Sequence, residues 1–249
     1  MRGGRLGRAV AIAAASVLVG ALATGCGSVA HGGGSDHRAD GAGGSDGKPS
    51  GRASRAVKIT ESLAPDGTTV RVGSPQAKTV VHVYEDLRCP VCEDFETRGG
   101  GEALRDLVRS GQVRAEYTLA SFLDDKLGGQ GSEKAANALR AALEAGRFAE
   151  YHDVLFAHQP EESVDGYTDA FLLEMASRVK GLRGPEFDAA VKDMKYRGFV
   201  TASEKAFESS GATGTPTLKV DGKTVDGQLY NGIFDKNTLP MVIGALSGS

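Results

Sequence analysis

The chain has 249 residues, 40% hydrophobic and 24% charged, with Lys+Arg 29 against Asp+Glu 32 and a formal net charge of -3. At about 100–200 residues per domain this is one domain with additions, or at most two small ones. The charge balance excludes a strongly basic nucleic-acid binder, whose phosphate contacts need a Lys/Arg surplus on at least one face. No interior run approaches the ~18 apolar residues of a membrane span, so the body is expected to be soluble. Three cysteines and no Trp exclude a disulfide-dense mini-scaffold.

Met1 to Arg8 carries Arg2, Arg5 and Arg8 and no acid, and Ala9 to Ala23 (AVAIAAASVLVGALA) is apolar or small throughout. A positive segment followed by a short apolar core reads as a secretory signal over residues 1–25. Without an adjacent Arg pair, a Sec-type route is favoured. Leu22-Ala23-Thr24-Gly25-Cys26 follows and resembles the lipobox of bacterial lipoproteins, with Ala23 where Leu is usual. The resemblance implies a lipidated Cys26 at the mature N-terminus, anchoring the protein to the outer face of the cytoplasmic membrane by two hydrophobic signals. Residues 26–55 are dominated by Gly, Ser, Asp and Ala and bury almost nothing, so they are expected to form a disordered tether. Its r.m.s. reach is roughly 30 Å. His31 and His37 lie in it and are read as solvated, not as metal ligands.

The folded part is expected over residues 56–249. Val57-Lys58-Ile59-Thr60 and Thr69-Val70-Arg71-Val72 alternate about Asp66-Gly67 and predict a hairpin. Thr79 to Tyr84 is a β-branched run suited to a central strand buried on both faces. Val113 to Leu119 predicts another strand. Apolar stripes over Ala136–Leu143, Phe148–Phe156, Phe171–Val179, Phe187–Met194 and Phe199–Ser210 predict a helical insertion over about 130–211. Leu218-Lys219-Val220, Asp221-Gly222 and Thr224-Val225 predict a hairpin with a type I′ turn. Asp235 to Leu246 suggests a last helix, with Pro240 arguing against it.

Chemistry is concentrated in Cys89-Pro90-Val91-Cys92, which follows the buried run and opens a helical segment. A cysteine at a helix N-terminus meets unpaired N–H groups and the positive end of the dipole, which favour its thiolate. Pro90 suits a first helical position. A strand leading into Cys-x-x-Cys and a helix reads as a redox pair. A zinc site would need two further ligands that no second Cys pair or His-x₃₋₅-His supplies, since His152 and His158 are six apart. A structural staple closing a two-residue loop would save little entropy. A degenerate, non-catalytic relative is the remaining alternative. Of the neighbours, Arg88 is expected to lower the Cys89 pKa, whereas Glu85, Asp86, Glu93 and Asp94 raise it.

Together with Gly214-Thr215-Pro216-Thr217 ahead of the second hairpin, the Glu85–Phe95 and Phe148–Phe156 stretches resemble the DsbA-like thiol–disulfide oxidoreductases of the thioredoxin superfamily. The resemblance implies an α/β thioredoxin-like fold with a helical insertion, Cys89 as attacking thiol, Cys92 as resolving thiol, and Thr215 and Pro216 as a cis-proline loop that pairs with a substrate strand. It implies no cofactor beyond the redox-active disulfide. In one departure, Val83 stands six residues before the first cysteine, where relatives place a buried acid. Glu85 and Asp86 are expected at the strand end. The first expectation is a monomeric oxidase of exported protein thiols, reoxidised by a membrane partner of the DsbB or vitamin-K-epoxide-reductase type. The alternatives are an envelope reductase or isomerase and a non-catalytic tethered client-binding domain.

Overall fold

The computed structural model describes residues 59–248. The expected signal peptide, lipidated Cys26 and tether, with His31 and His37, lie outside the described residues, as do Val57 and Lys58. In chain order the elements are β1 (Thr60–Leu63), β2 (Val70–Gly73), β3 (Thr79–Asp86), α1 (Pro90–Thr97), α2 (Gly100–Arg109) and β4 (Val113–Ala120). Next come α3 (Phe122–Leu127), α4 (Gly131–Glu144), α5 (Phe148–Phe156), α6 (Asp169–Ala176), α7 (Pro185–Lys192) and α8 (Arg197–Ser209). The chain continues with β5 (Thr217–Val220), β6 (Lys223–Thr224), α9 (Gly227–Tyr230), a 3-10 turn (Asn231–Phe234) and α10 (Leu239–Leu246).

The strands form one sheet in the order β1-β2-β4-β3-β5-β6. β3 pairs parallel with β4 and antiparallel with β5, so it is central, as its β-branched run predicts. Parallel pairing puts Val83 opposite Tyr117 and Glu85 opposite Leu119. Because strand side chains alternate, Val81, Val83 and Glu85 share one face with Ala115, Tyr117 and Leu119. That face carries the main core, with Leu87, Phe95, Leu104, Phe148, Leu155 and Phe156. On the opposite face Tyr84 and Ala120 pack against Phe207 of α8. Fully burying each large apolar side chain contributes about 1.5–3 kcal/mol. No helix among the described residues is long and apolar enough to cross a membrane.

The insertion comprises α4 to α8. Asp221 and Gly222 both have positive φ (47° and 82°), the backbone a type I′ turn demands. Pro240 does not break the last helix; it lies in its first turn, where its missing N–H is no loss. The stretch from Gly100 to Arg109 carried no predicted element and is α2. Its N-terminus lies so close to α1 that a Cβ at Gly101 would run into Glu96.

Four side chains tie α3 and the insertion to the turn between β3 and α1. Asp86 accepts hydrogen bonds from Arg88 N (2.9 Å), Ser132 Oγ (2.6 Å) and Leu123 N (3.2 Å). Burial pushes its carboxyl up to about 7 against those donors. Gln159 Nε2 donates to the carbonyls of Leu87 (2.6 Å) and Cys89 (3.1 Å), and Tyr167 Oη donates to Leu87 O (2.9 Å). The buried Arg88 guanidinium reaches Asp124 Oδ1 (2.8 Å), Gly128 O (2.9 Å) and Glu162 O (3.0 Å). Removing one partner of a buried ion pair costs about 3–5 kcal/mol. Arg88→Ala is therefore expected to lower urea-unfolding stability by about that amount, with Arg88→Lys recovering little because an ammonium cannot span three acceptors. A loss below about 1 kcal/mol would show that the clamp is dispensable.

Candidate active site

Cys89 is the N-cap of α1 and Pro90 its first residue, so the helix begins between the two cysteines. Pro90 supplies no N–H, and the next two backbone amides, those of Val91 and Cys92, are directed at the Cys89 sulfur. Cys89 is 7% exposed and Cys92, one turn on, 0%. Both are free thiols. The Cys89 thiol is thus largely covered at the turn.

The two sulfurs are pushed in opposite directions. The Cys92 thiol, outweighing burial and helped by Thr215 and the Cys92 and Val91 amides, lowers Cys89 from 9.0 to about 6. Burial above all, then Cys89 and Glu85, raises Cys92 well above the usual thiol range. The Thr215–Pro216 peptide bond is cis. Cys89 Sγ–H donates to Thr215 O at 3.3 Å, and the Thr215 hydroxyl is buried without a hydrogen-bond partner. Tyr230 Oη donates to Pro216 O at 3.4 Å, closing the far side of this loop. Val91, between the cysteines, is exposed. Cys89, Cys92, Pro90, Val91, Thr215 and Pro216 therefore lie around one centre.

The expected tuning residues divide. Glu85 is at the strand end, as expected, but fully buried on the core face, two residues further along the same face than Val83. It acts on Cys92, not Cys89. Asp86 points to the other face and holds the turn. Arg88 corrects the expectation that it stabilises the Cys89 thiolate: its guanidinium is engaged by Asp124 and two carbonyls, and the groups that lower Cys89 are dipoles and N–H donors.

Several residues at the site carried no functional expectation. His152 of α5 is buried, and its Nε2 shares a hydrogen bond with Glu85 Oε1 at 2.6 Å. Burial alone would lower His152, but Glu85, Asp153 and Glu96 together raise it well above the ordinary histidine value. Glu96 of α1 is 3% exposed and pairs with Arg105 Nη1 at 2.9 Å. Burial raises it to about 7, against His152 and Arg105. Glu96 follows Cys89 and Cys92 at helical spacing, so the sequence held a signal for it. His152 had none, because only the fold brings α5 under β3.

Glu85, Glu96 and His152 place one donor atom each within 4.8 Å of one another, which makes them the metal-capable group among the described residues. His152 Nε2 lies 2.6 Å from Glu85 Oε1, and the neighbouring carboxyls raise its pKa above the ordinary histidine value. The site's own chemistry is thiolate exchange: an activated sulfur, a buried partner one turn away, and an adjacent backbone edge.

The protein-family model described as Thioredoxin matches residues 65–234. Among curated proteins, 179 residues are 31% identical to Na(+)/H(+) antiporter NhaA 3 of Salinispora tropica, covering 70% of this chain and 24% of that one. The chain thus spans about a quarter of the length of that relative. Disulfide bond formation protein D of Bacillus subtilis is 22% identical over 156 residues, 62% of this chain and 68% of that protein. Among solved structures, the reduced disulfide bond oxidoreductase DsbG of Mycobacterium tuberculosis superposes with a TM-score of 0.56 at 25% identity, covering 72% of this chain and 94% of that one. Oxidised BdbD of Bacillus subtilis gives 0.61 at 20% identity, with 76% and 97% covered. Matched over most of its folded part and carrying the helical insertion between β4 and β5, the chain belongs to the thioredoxin family, in its DsbA-like form.

Proposed function

We propose that the protein is an extracytoplasmic thiol–disulfide oxidoreductase that oxidises dithiols of exported proteins through Cys89 and Cys92. The observation that carries this reading is the opposed tuning of the two sulfurs, one lowered to about 6 and the other raised by burial. Stabilising the thiolate of the reduced form makes the disulfide a stronger oxidant.

In the oxidised protein a substrate thiolate attacks Cys89 Sγ. The Cys89–Cys92 bond breaks, its electron pair goes to Cys92 Sγ, and Cys92 takes up a proton because its thiolate is disfavoured in the core. A second substrate thiolate then attacks its own sulfur in the mixed disulfide, and Cys89 leaves as the stable thiolate. The substrate gains a disulfide, and the protein is left with one thiolate and one thiol. Thr215 and Pro216 offer an extended backbone beside Cys89 for a substrate strand, as in β-augmentation, and exposed Val91 adds an apolar contact. The Arg-bearing leader and the Leu22–Cys26 string support export and anchoring through lipidated Cys26. Reoxidation then falls to a membrane partner of the DsbB or vitamin-K-epoxide-reductase type, and the protein is read as a monomer.

Iodoacetamide titration is expected to show Cys89 reacting with an apparent pKa near 6 while Cys92 stays inert in the folded protein. Equal, sluggish reaction of both would remove the catalytic reading. Against a glutathione buffer the pair is expected to equilibrate above about −150 mV; a value near −270 mV would make it a reductant.

The reduced form also acquires a pH-dependent stability. Its Cys89 pKa is lowered on folding, so the contribution is complete above the unfolded value of 9.0 and lost as pH falls through about 6. The melting temperature of the reduced protein, relative to the oxidised, is therefore expected to rise from pH 5 to pH 8. A difference that is flat or falls with pH would contradict the lowered thiol.

A further inference from the structure

Behind the redox pair the core holds Glu85 of β3, Glu96 of α1 and His152 of α5, none more than 3% exposed. Glu85 Oε1 shares a hydrogen bond of 2.6 Å with His152 Nε2, while Glu85 Oε2 is buried with no hydrogen-bond partner. Glu96 Oε2 accepts from Arg105 Nη1 at 2.9 Å, while Glu96 Oε1 is buried and equally unpartnered. A buried carboxyl oxygen that meets no donor has lost its hydration without return, unless a water or an ion meets it. Two such oxygens beside one imidazole favour an ion.

One ligating atom from each of the three lies within 4.8 Å of the others. Zinc–nitrogen and zinc–oxygen bonds of about 2.0–2.2 Å place ligand atoms at most ~4.4 Å apart, so the trio closes on an ion by moving a few tenths of an ångström. The surroundings hold the ligands in place. The His152 ring is wedged among Tyr117, Phe148 and Phe156, with centroids 5.0, 5.5 and 4.9 Å away. Its other nitrogen, Nδ1, faces Asp153 Oδ1 at 3.9 Å, the carboxylate–histidine arrangement that orients imidazole ligands. Arg105 Nη1 lies 2.9 Å from Glu96 Oε2 and 3.2 Å from Asp153 Oδ1, so one guanidinium steadies both carboxyls from outside. Two carboxylates and a neutral imidazole carry two negative charges between them, which a divalent ion offsets. A cleft of about 320 Å³, lined among others by Glu96, Arg105 and Asp153, gives entry and room for the water that completes a tetrahedral set.

We propose that Glu85, Glu96 and His152 bind a single divalent first-row transition ion with the ligand preference of zinc, which ties β3, α1 and α5 together behind the redox pair. Imidazole with carboxylates and no thiolate suits zinc or manganese, not copper(I). On binding, the hydrogen shared by His152 and Glu85 leaves as a proton to water in the cleft, and both groups turn to the ion. The ion is structural: it cross-links the strand and helix that carry the redox pair to the helical insertion. No ligand spacing in the sequence announces this set, because positions 85, 96 and 152 lie on separate elements. The proposal goes beyond disulfide exchange and does not depend on it.

The test is calorimetric titration of Zn²⁺ into the full chain in its oxidised form, where the disulfide removes both active-site sulfurs as ligands. One ion per chain is expected to bind, with an affinity of about micromolar or tighter, and to raise the melting temperature. His152→Gln and Glu96→Gln are expected to weaken binding by about 100-fold or more, and Asp153→Asn, which loses only the group that orients His152, by about 10-fold. The Asp153 side chain is 39% exposed, so its substitution reads the site even should a buried variant fail to fold. A chain carrying His31→Gln and His37→Gln is expected to bind as wild type does. Co²⁺ in place of Zn²⁺ is expected to give visible ligand-field absorption without a thiolate charge-transfer band, a readout that needs no variant. Absence of binding at millimolar Zn²⁺, binding unchanged in folded His152→Gln or Asp153→Asn, loss of binding with His31 and His37, or a thiolate band on Co²⁺ would each overturn the site. The exchange reading, which rests on the two sulfurs, stands under any of these results.

Discussion

Two like sulfurs are held one helical turn apart in surroundings of opposite electrostatic character, and the rest of the site follows from that constraint. Cys89 sits where α1 begins, with two amide N–H groups and the Cys92 thiol directed at it. Cys92 sits where the core closes, beside a buried carboxyl. A thiolate is stabilised by converging dipoles and penalised by burial. The helix start therefore decides which sulfur is the better stabilised as a thiolate. Pro90 sharpens the asymmetry, since it starts the helix without adding a donor of its own.

Holding that geometry falls to the insertion together with α3, which precedes it. The turn between β3 and α1 is gripped by Gln159 and Tyr167 on its carbonyls, by Ser132 and Leu123 on Asp86, and by Asp124 with two carbonyls on Arg88. Arg88 stands next to Cys89 in sequence, yet its charge is engaged by Asp124 and two carbonyls that hold the turn. A long side chain carries its charge several bonds away from its Cα, so adjacency along the chain says little about which charges a sulfur meets.

Glu85 shows how the fold accommodates the absence of an acid at Val83. Strand alternation keeps positions 83 and 85 on one face, so a carboxyl two residues later still enters the core behind Cys92. A carboxyl there needs compensation, and α5 supplies it through His152. The close approach of α2, which leaves no room for a Cβ at Gly101, holds Glu96 against the same group. Helix, strand and insertion thus share one buried electrostatic system.

The sequence alone determined what depends on local rules. Cys-Pro-Val-Cys after a β-branched run announces a helix start with a sulfur at its end, and Asp221-Gly222 announces a turn with two positive φ values. Apolar stripes at helical spacing announce the helices that follow β4. Tertiary structure alone decided which charges face which sulfur, because the groups that meet behind Cys92 come from positions 85, 96, 105 and 152, on four separate elements. Hydrophobic periodicity reports which face of an element is buried, but not which buried polar groups will meet, since that depends on how the elements cross. His152 fits an apolar helix stripe in sequence, and only the packing of α5 beneath β3 makes it the partner of Glu85.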